Sequence, residues 1–481
     1  MAWGAWCTAA ALLVLLLAAA GGDGVHCLEH GSGSRRALRQ RTHRLRSRAV
    51  GGATVLELRH HSFSPVPSKT RKEELDGILS SDAARVSSLQ RRIENYRLIR
   101  LSPEGAAAAA AAASMAQVPV TSGAKLRTLN YVATIGLGGG EATVIVDTAS
   151  ELTWVQCKPC ASCHYQEDPL FDPTSSPSYA AVPCNSSSCD ALQVATGMSA
   201  CGGADQPQCS YTLSYRDGSY SHGVLAHDKL SLAGEAVDGF VFGCGTSNQG
   251  APFGGTSGLM GLGRSQLSLV SQTMDQFGGV FSYCLPLKDS GSSGSLVLGD
   301  DSSVYRNSTP IVYASMVSDP AQGPFYFLNL TGITVGGEPV ESSGFSSSAG
   351  KVIIDSGTVI TSLVPSIYDA VRAEFMDQLA EYPPAPGYQI LDTCFNMTGL
   401  SEVQVPSLKL VFDGGVEVEV DSSGVLFFVT SDSSQVCLAM AALKSEYDTS
   451  IIGNYQQKNL RVIFDTSGSQ VGFAQETCDY I

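Results

Sequence analysis

Two segments of the chain repeat one pattern of residues that could do chemistry. Val144-Ile-Val-Asp-Thr-Ala-Ser150 and Val352-Ile-Ile-Asp-Ser-Gly-Thr358 each run three apolar residues into an aspartate, then a hydroxyl residue, a small residue (Ala149 or Gly357) and a second hydroxyl. A charged Asp directly after a buried apolar strand is costly unless it is hydrogen-bonded or reactive. If a pseudo-twofold axis brings Asp147 and Asp355 together, the two carboxylates cannot both ionise easily and share one proton. One is then the base and the other the acid. Such a dyad can deprotonate a trapped water for attack on an amide carbonyl and protonate the departing groups, without a covalent intermediate, metal or organic cofactor. Thr148 and Ser356 are placed to bond backbone across the interface, and Ser150 and Thr358 to donate to the outer carboxylate oxygens. A single copy of the motif would be read as a strand-end turn.

The elements that must position this pair are themselves duplicated. Each motif is followed at a comparable interval by two apolar residues and a glycine, Leu259-Met260-Gly261 and Ile451-Ile452-Gly453, which predicts a two-lobed body. Short runs such as YVATIGL, GVLAHDKLSL and RVIFDT, separated by Gly, Ser, Asn and Pro, predict a mostly β fold from about residue 116 onward. Ile367 to Leu379 is the one convincing amphipathic helix, with Val371, Phe375 and Leu379 on a face. Asp217-Gly218 predicts the turn of a hairpin over Tyr211 to Leu232 that could close over a cleft, with the Tyr215 phenol toward substrate or packed like Tyr211 and Tyr220. A third Asp-Thr, in Val462-Ile-Phe-Asp-Thr-Ser-Gly468, has its glycine one position late and no third lobe to pair with, so Asp465 is expected in a turn.

Composition excludes several other classes. With 43% hydrophobic and 16% charged residues, the 481-residue chain can bury large cores. Residues 1–115 carry 16 Lys+Arg against 9 Asp+Glu, whereas the whole chain has a net charge of -15, so a basic leader precedes an acidic body. That body repels nucleic acid and anionic membranes and suits work at low pH. Outside the leader the histidines are His164, His222 and His227, and no G-x-S-x-G occurs, which leaves little for a Ser-His-Asp enzyme. Gly136-Leu-Gly-Gly-Gly140 lies between two β-like runs and reads as a hairpin turn, not a phosphate loop.

The apolar run Ala9 to Ala20 followed by Gly21 and Gly22 has the shape of a secretory signal, and no other stretch approaches membrane-spanning length. The expected organisation is a signal at 1–22, a basic pro-segment and alanine-rich linker at 23–115, a first lobe at 116–305 with a cysteine-rich insertion at 157–209, and a second lobe at 306–481. Acidification should weaken the hold of the basic leader on the acidic cleft, making it an intramolecular inhibitor. The body holds twelve cysteines, Cys157, Cys160, Cys163, Cys184, Cys189, Cys201, Cys209, Cys244, Cys284, Cys394, Cys437 and Cys478, an even number that favours six disulfides in an exported protein over a zinc site at Cys157, Cys160, Cys163 and His164. Sequons at Asn185, Asn307, Asn329 and Asn396 agree with export.

DTASELTWVQC, IIDSGT, YRDGSYSHG, SGLMGLG and SIIGNYQQKNLRVIFDTSGSQVGFA together resemble the pepsin-like aspartic proteases, and more closely the nepenthesin-type plant branch, from about residue 128 to the end. The resemblance implies two β-lobes, an extended peptide in the cleft, Asp147 and Asp355 as catalytic pair, Tyr215 as flap tyrosine and Trp154 as its hydrogen-bonding partner. It also implies the pairings Cys157–Cys160, Cys163–Cys244, Cys184–Cys209, Cys189–Cys201, Cys284–Cys478 and Cys394–Cys437. Ala149 departs from the family's usual Gly, and a backbone angle open only to glycine would strain it by roughly 1 to 3 kcal/mol. The expectation is a monomeric endopeptidase acting on polypeptides at acidic pH, outside the cell in the apoplast and wall or in the vacuole. The competing reading is a weakly active or inactive binding or inhibitor protein on the same fold.

Overall fold

The computed structural model describes residues 47–50, 53–57, 68–98, 114–196, 201, 207–214, 219–287, 293–317, 323–346 and 350–480. The signal expected at 1–22 and the alanine run lie outside them, as do Tyr215, Asp217 and Gly218.

The fold is mostly β, as expected. In each lobe the apolar run before the aspartate is a central strand. Gly140–Asp147 runs parallel to Gly258–Gly261, with Ile145 opposite Leu259 and Asp147 opposite Gly261. Lys351–Ile354 runs parallel to Ser450–Ile452, with Ile353 opposite Ile451. The repeated glycines have a steric cause: a Cβ at Gly261 would lie 2.9 Å from the backbone of Glu151 and Leu152, and one at Gly453 2.6 Å from the Val359 carbonyl oxygen. In both lobes the loop that leaves the aspartate crosses over the glycine, and only a residue without a side chain lets it pass.

A sheet shared by both halves joins the lobes. Its order runs Val312–Ser315, Gln470–Gln475, Leu460–Asp465, Val280–Cys284, Gly294–Leu298, Ala116–Ser122 and Tyr131–Leu137, and continues into the first lobe. Arg461, fully buried in this seam, pairs with the equally buried Glu476 at 2.8 Å and donates to Ser295 Oγ at 2.7 Å. A buried guanidinium is tolerable only when its donors are met in this way.

The hairpin at Gly138-Gly139 has both residues at positive φ, as a two-residue turn requires. Asp465 Oδ1 accepts from the Gly468 amide at 2.7 Å and Oδ2 from Gln470 at 3.0 Å, so this aspartate closes a turn. The second-lobe helix spans Pro365–Gln378. The reading of the chain missed a much longer one. Helix α1, Ser68–Leu98, lies in the basic leader and docks on the body. Its buried residues Leu75, Leu79, Asp82, Val86, Leu89, Ile93 and Tyr96 alternate spacings of four and three, an apolar seam with one carboxylate in it.

Four of the disulfide pairings differ from expectation. The structure pairs Cys157 with Cys244, Cys160 with Cys163, Cys184 with Cys201 and Cys189 with Cys209, beside Cys284–Cys478 and Cys394–Cys437. Cys157 ends a strand, Trp154–Gln156, that runs parallel to the strand carrying Cys244 and brings their Cα atoms to 5.4 Å, which leaves Cys160 and Cys163 to close their own loop. In the insertion, the buried Cys189 on helix Ser187–Thr196 meets the buried Cys209, while Cys184 and Cys201 are both half-buried. The four thiols of these two bridges are adjacent, with Cys189 and Cys201 sulfurs 3.5 Å apart, so sequence spacing could not choose between pairings.

Candidate active site

The two Asp motifs meet at the seam with matching hydrogen bonds. Thr148 Oγ1 donates to the Ile354 carbonyl at 3.1 Å, and Ser356 Oγ to the Val146 carbonyl at 2.8 Å. Each hydroxyl also accepts the other's backbone amide, Thr148 N to Ser356 Oγ at 3.2 Å and Ser356 N to Thr148 Oγ1 at 3.0 Å. This four-bond lock fixes one loop against the other. Around the carboxylates the symmetry continues: Ala149 N donates to Asp147 Oδ1 at 3.0 Å and Ser150 Oγ to Oδ2 at 2.8 Å, while Gly357 N donates to Asp355 Oδ1 at 2.9 Å and Thr358 Oγ1 to Oδ2 at 2.5 Å.

Both aspartates are fully buried. A Cβ built at Gly357 would lie 2.7 Å from the Asp147 carboxyl carbon, which is how close the opposite loop comes. Burial pushes the Asp355 carboxyl above the ordinary aspartate range, a nearby guanidinium pulls it down, and Asp147 pushes it up again. Two residues not singled out from the sequence hold the loop from behind. Asn454 Nδ2 donates to the Ser356 carbonyl at 3.0 Å, and Gln457 Nε2 to the carbonyls of Ile452 at 2.9 Å and Asp355 at 3.4 Å. Their signal lay in the IIGNYQQ run directly after the repeated glycine.

Ala149 is fully buried and is not among the residues with positive φ, nor is Gly357 among the positive-φ glycines. The expected strain is therefore absent at this turn.

The guanidinium is Arg85 of α1. Its Nη2 reaches Asp147 Oδ1 at 2.6 Å and Asp355 Oδ2 at 3.1 Å, and its Nε lies 3.3 Å from Asp355 Oδ2 and from Thr358 Oγ1. One nitrogen thus bridges the two carboxylates. One turn earlier, the buried Asp82 accepts from the amides of Val359 at 2.7 Å and Ile360 at 2.9 Å. Burial pushes its carboxyl up to about 6, against the pull of those two amides and of Arg85. Farther along, Gln90 bonds both the amide and the carbonyl of Thr449, and Tyr96 donates to the Ala195 carbonyl at 2.7 Å. The leader's contribution was legible only as net charge.

Ser210–Ser214 and Tyr220–Leu232 pair antiparallel with Ser214 opposite Tyr220, so the two strands flank the predicted turn, which lies outside the described residues. The Tyr211 phenol is buried on Ser221 at 2.8 Å, a packing role. Trp154 is fully buried, and among the described residues its indole Nε1 finds no hydrogen-bond partner. Of the sequons, Asn185, Asn307 and Asn396 are exposed, while Asn329 is half-buried with its amide on both oxygens of Asp413 at 3.0 Å.

Comparison with known proteins separates the family from its activities. The xylanase inhibitor N-terminal family matches residues 131–300 and the xylanase inhibitor C-terminal family residues 325–475. An aspartyl protease family protein of Arabidopsis thaliana is 40% identical over 407 residues, covering 83% of this chain and 82% of the relative. Nepenthesin-1 of Nepenthes gracilis, an aspartic proteinase, is 35% identical over 352 residues, 72% of this chain and 76% of its own. The chain belongs to the nepenthesin-type plant branch of the pepsin-like aspartic proteases. Among solved structures, edgp aligns at 25% identity and a TM-score of 0.58 over 77% of this chain and 96% of its own. Basic 7S globulin from soybean aligns at 21% identity and a TM-score of 0.59 over 76% and 97%. The fold is thus shared by named proteases and a globulin, and fold alone does not decide catalysis.

Proposed function

We propose that the chain is the precursor of a secreted aspartic endopeptidase, with Asp147 and Asp355 as the catalytic pair and helix α1 as its inhibitor. The observation that carries this reading is the duplicated set of hydrogen bonds around two buried carboxylates that face a common atom. In the freed cleft, a water would take the place that Arg85 Nη2 occupies. The ionised carboxylate removes its proton as it attacks a peptide carbonyl, and the protonated one donates to the carbonyl oxygen; the proton then passes to the leaving nitrogen. Ser150 and Thr358 stabilise the ionised forms, and the Thr148–Ser356 lock keeps the pair from drifting apart. Trp154 would hold the flap through the Tyr215 phenol, the pairing that the family resemblance implies. Substrates are polypeptides. The acidic body and twelve bridged cysteines fit the apoplast or vacuole; among the described residues no helix is long and apolar enough to cross a membrane.

The alternative is a weakly active or inactive binding or inhibitor protein, the reading favoured by the xylanase inhibitor descriptions of both matching families. The test is hydrolysis of denatured globin by acid-treated protein, with and without pepstatin, beside Asp147→Asn and Asp355→Asn. Loss of an acid–base pair member should lower the rate at least about 10²–10⁴-fold. Pepstatin-insensitive cleavage, or cleavage that survives in either variant, would assign the activity elsewhere.

A further inference from the structure

Two residues past Asp147, helix α1 fills a second site unrelated to the proton chemistry. Arg92 Nη1 donates to the Ala149 carbonyl at 2.8 Å, and its Nη2 lies 3.8 Å from Glu151 Oε1. Its guanidinium lies 4.9 Å from the centroid of the Phe325 ring. Glu151 belongs to the body, not to the leader, and its side chain is only 4% exposed. Oε2 is held by the Ser265 amide at 2.8 Å, and the Ser265 hydroxyl also pulls the carboxyl down, but among the described residues Oε1 accepts no hydrogen bond. Gly263 makes room for that oxygen, since a Cβ there would collide with it. Burial pushes the Glu151 carboxyl up, and Arg92 pulls it back down. The other groups that sense its charge are the Ser265 hydroxyl and amide, Asp147 on the same loop, Tyr96 of α1 and Tyr326.

A buried carboxylate with an unmet oxygen, a backbone carbonyl and an aromatic ring form a receptor shaped for a guanidinium. Nothing in this arrangement requires that the guanidinium come from the leader. We propose that, once α1 leaves, Ala149, Glu151 and Phe325 form a substrate subsite that selects arginine beside the scissile bond. This specificity rests on the endopeptidase reading above. It departs from a purely apolar cleft: one arm of the cleft takes a cation, and the precursor occupies it with its own.

The experiment has two arms. In the first, acid-activated full-length protein cleaves a peptide set in which arginine or norleucine is placed in turn at each of the positions flanking the cut. One position should favour arginine in kcat/KM by roughly tenfold, about the worth of one hydrogen bond to a charged group. Glu151→Gln should bring that ratio close to one. An active enzyme without such a position, or a preference that survives the substitution, overturns the proposal. The second arm needs no turnover: the full-length Arg92→Ala chain, its receptor vacated, should bind N-acetyl-arginine methylamide roughly tenfold more tightly than the Arg92→Ala/Glu151→Gln chain. Equal binding by the two overturns the receptor whether or not the protein cleaves peptides. Differential binding in a chain that cleaves nothing overturns the protease reading and leaves the receptor standing.

Discussion

Replacing Arg85 with alanine should switch on the intact precursor. The guanidinium makes a 2.6 Å bond to Asp147 and a second, divided contact of 3.1 to 3.3 Å to Asp355. At roughly 1.5 to 3 kcal/mol for a hydrogen bond to a charged group, less what water recovers in the opened cleft, its loss weakens docking by about 3 kcal/mol. That multiplies the undocked fraction roughly a hundredfold. The rest of α1 still packs through Leu75, Leu79, Val86, Leu89, Ile93 and Tyr96, so the variant should fold and stay mostly closed. The assay is the initial, pepstatin-sensitive rate on a fluorogenic peptide at pH 5.5, with gels showing that the precursor is still uncut. A rise of less than about threefold would mean that Arg85 does not gate the dyad. The pH dependence has a definite sign. Arg85 pulls the Asp355 carboxyl down, against burial and the push of Asp147, so this pairing favours its ionised form. The Arg85 contribution to docking is therefore present when Asp355 is ionised and is lost as pH falls through the docked value, which burial keeps above the usual 3.8.

Asp82 acts with the opposite sign. Its carboxyl titrates near 3.8 when exposed and at about 6 when docked, so docking takes up a proton between those values and carries a cost of roughly 3 kcal/mol at neutral pH that vanishes on acidification. Asp82→Asn should dock more tightly at pH 7, despite losing one accepted amide, and its processing rate should depend more steeply on pH between 4 and 6; a profile parallel to the wild type would contradict this. Ala149→Gly should lower stability by about 1 kcal/mol, the worth of a buried methyl and of a less flexible unfolded chain, and leave turnover within a few-fold. A glycine variant both faster and more thermostable would restore the case for strain. Glu476→Gln leaves Arg461 buried without its counter-charge and should cost about 3 to 5 kcal/mol in chemical denaturation, whereas unchanged stability would place no load on that pair.

The aspartate half of the site could be read from the chain because its pattern is written twice. The strand, the aspartate, the hydroxyls and the crossing glycine recur with the same steric and electrostatic reasons, so the dyad, its supports and the two-lobed β fold all followed from one comparison. The half that helix α1 supplies is written once. Its helix hides a four-three apolar stripe behind many arginines, and Arg85 stands out from its neighbours only after folding has put Nη2 between two carboxylates. Glu151 was hidden for a related reason: a carboxylate four residues past Asp147 looks like surface until the leader is seen to cover it. The disulfides of the insertion failed because four sulfurs lie within reach of one another, and burial, which the sequence does not state, selects the partners.

The strand Ala116–Ser122 is hydrogen-bonded on both sides, to Gly294–Leu298 and to Tyr131–Leu137, in the sheet that joins the lobes. A protease trimming the leader from its own end therefore meets a fixed stop, because removing this strand would tear a gap between the halves and separate the carboxylates. In the proposed precursor, the cut that frees the cleft would fall after Leu98, where α1 ends, and before Ala116, a window that brackets the run of eight alanines. A tract of one small residue offers no preferred bond there, so mature molecules should carry ragged starts while working identically.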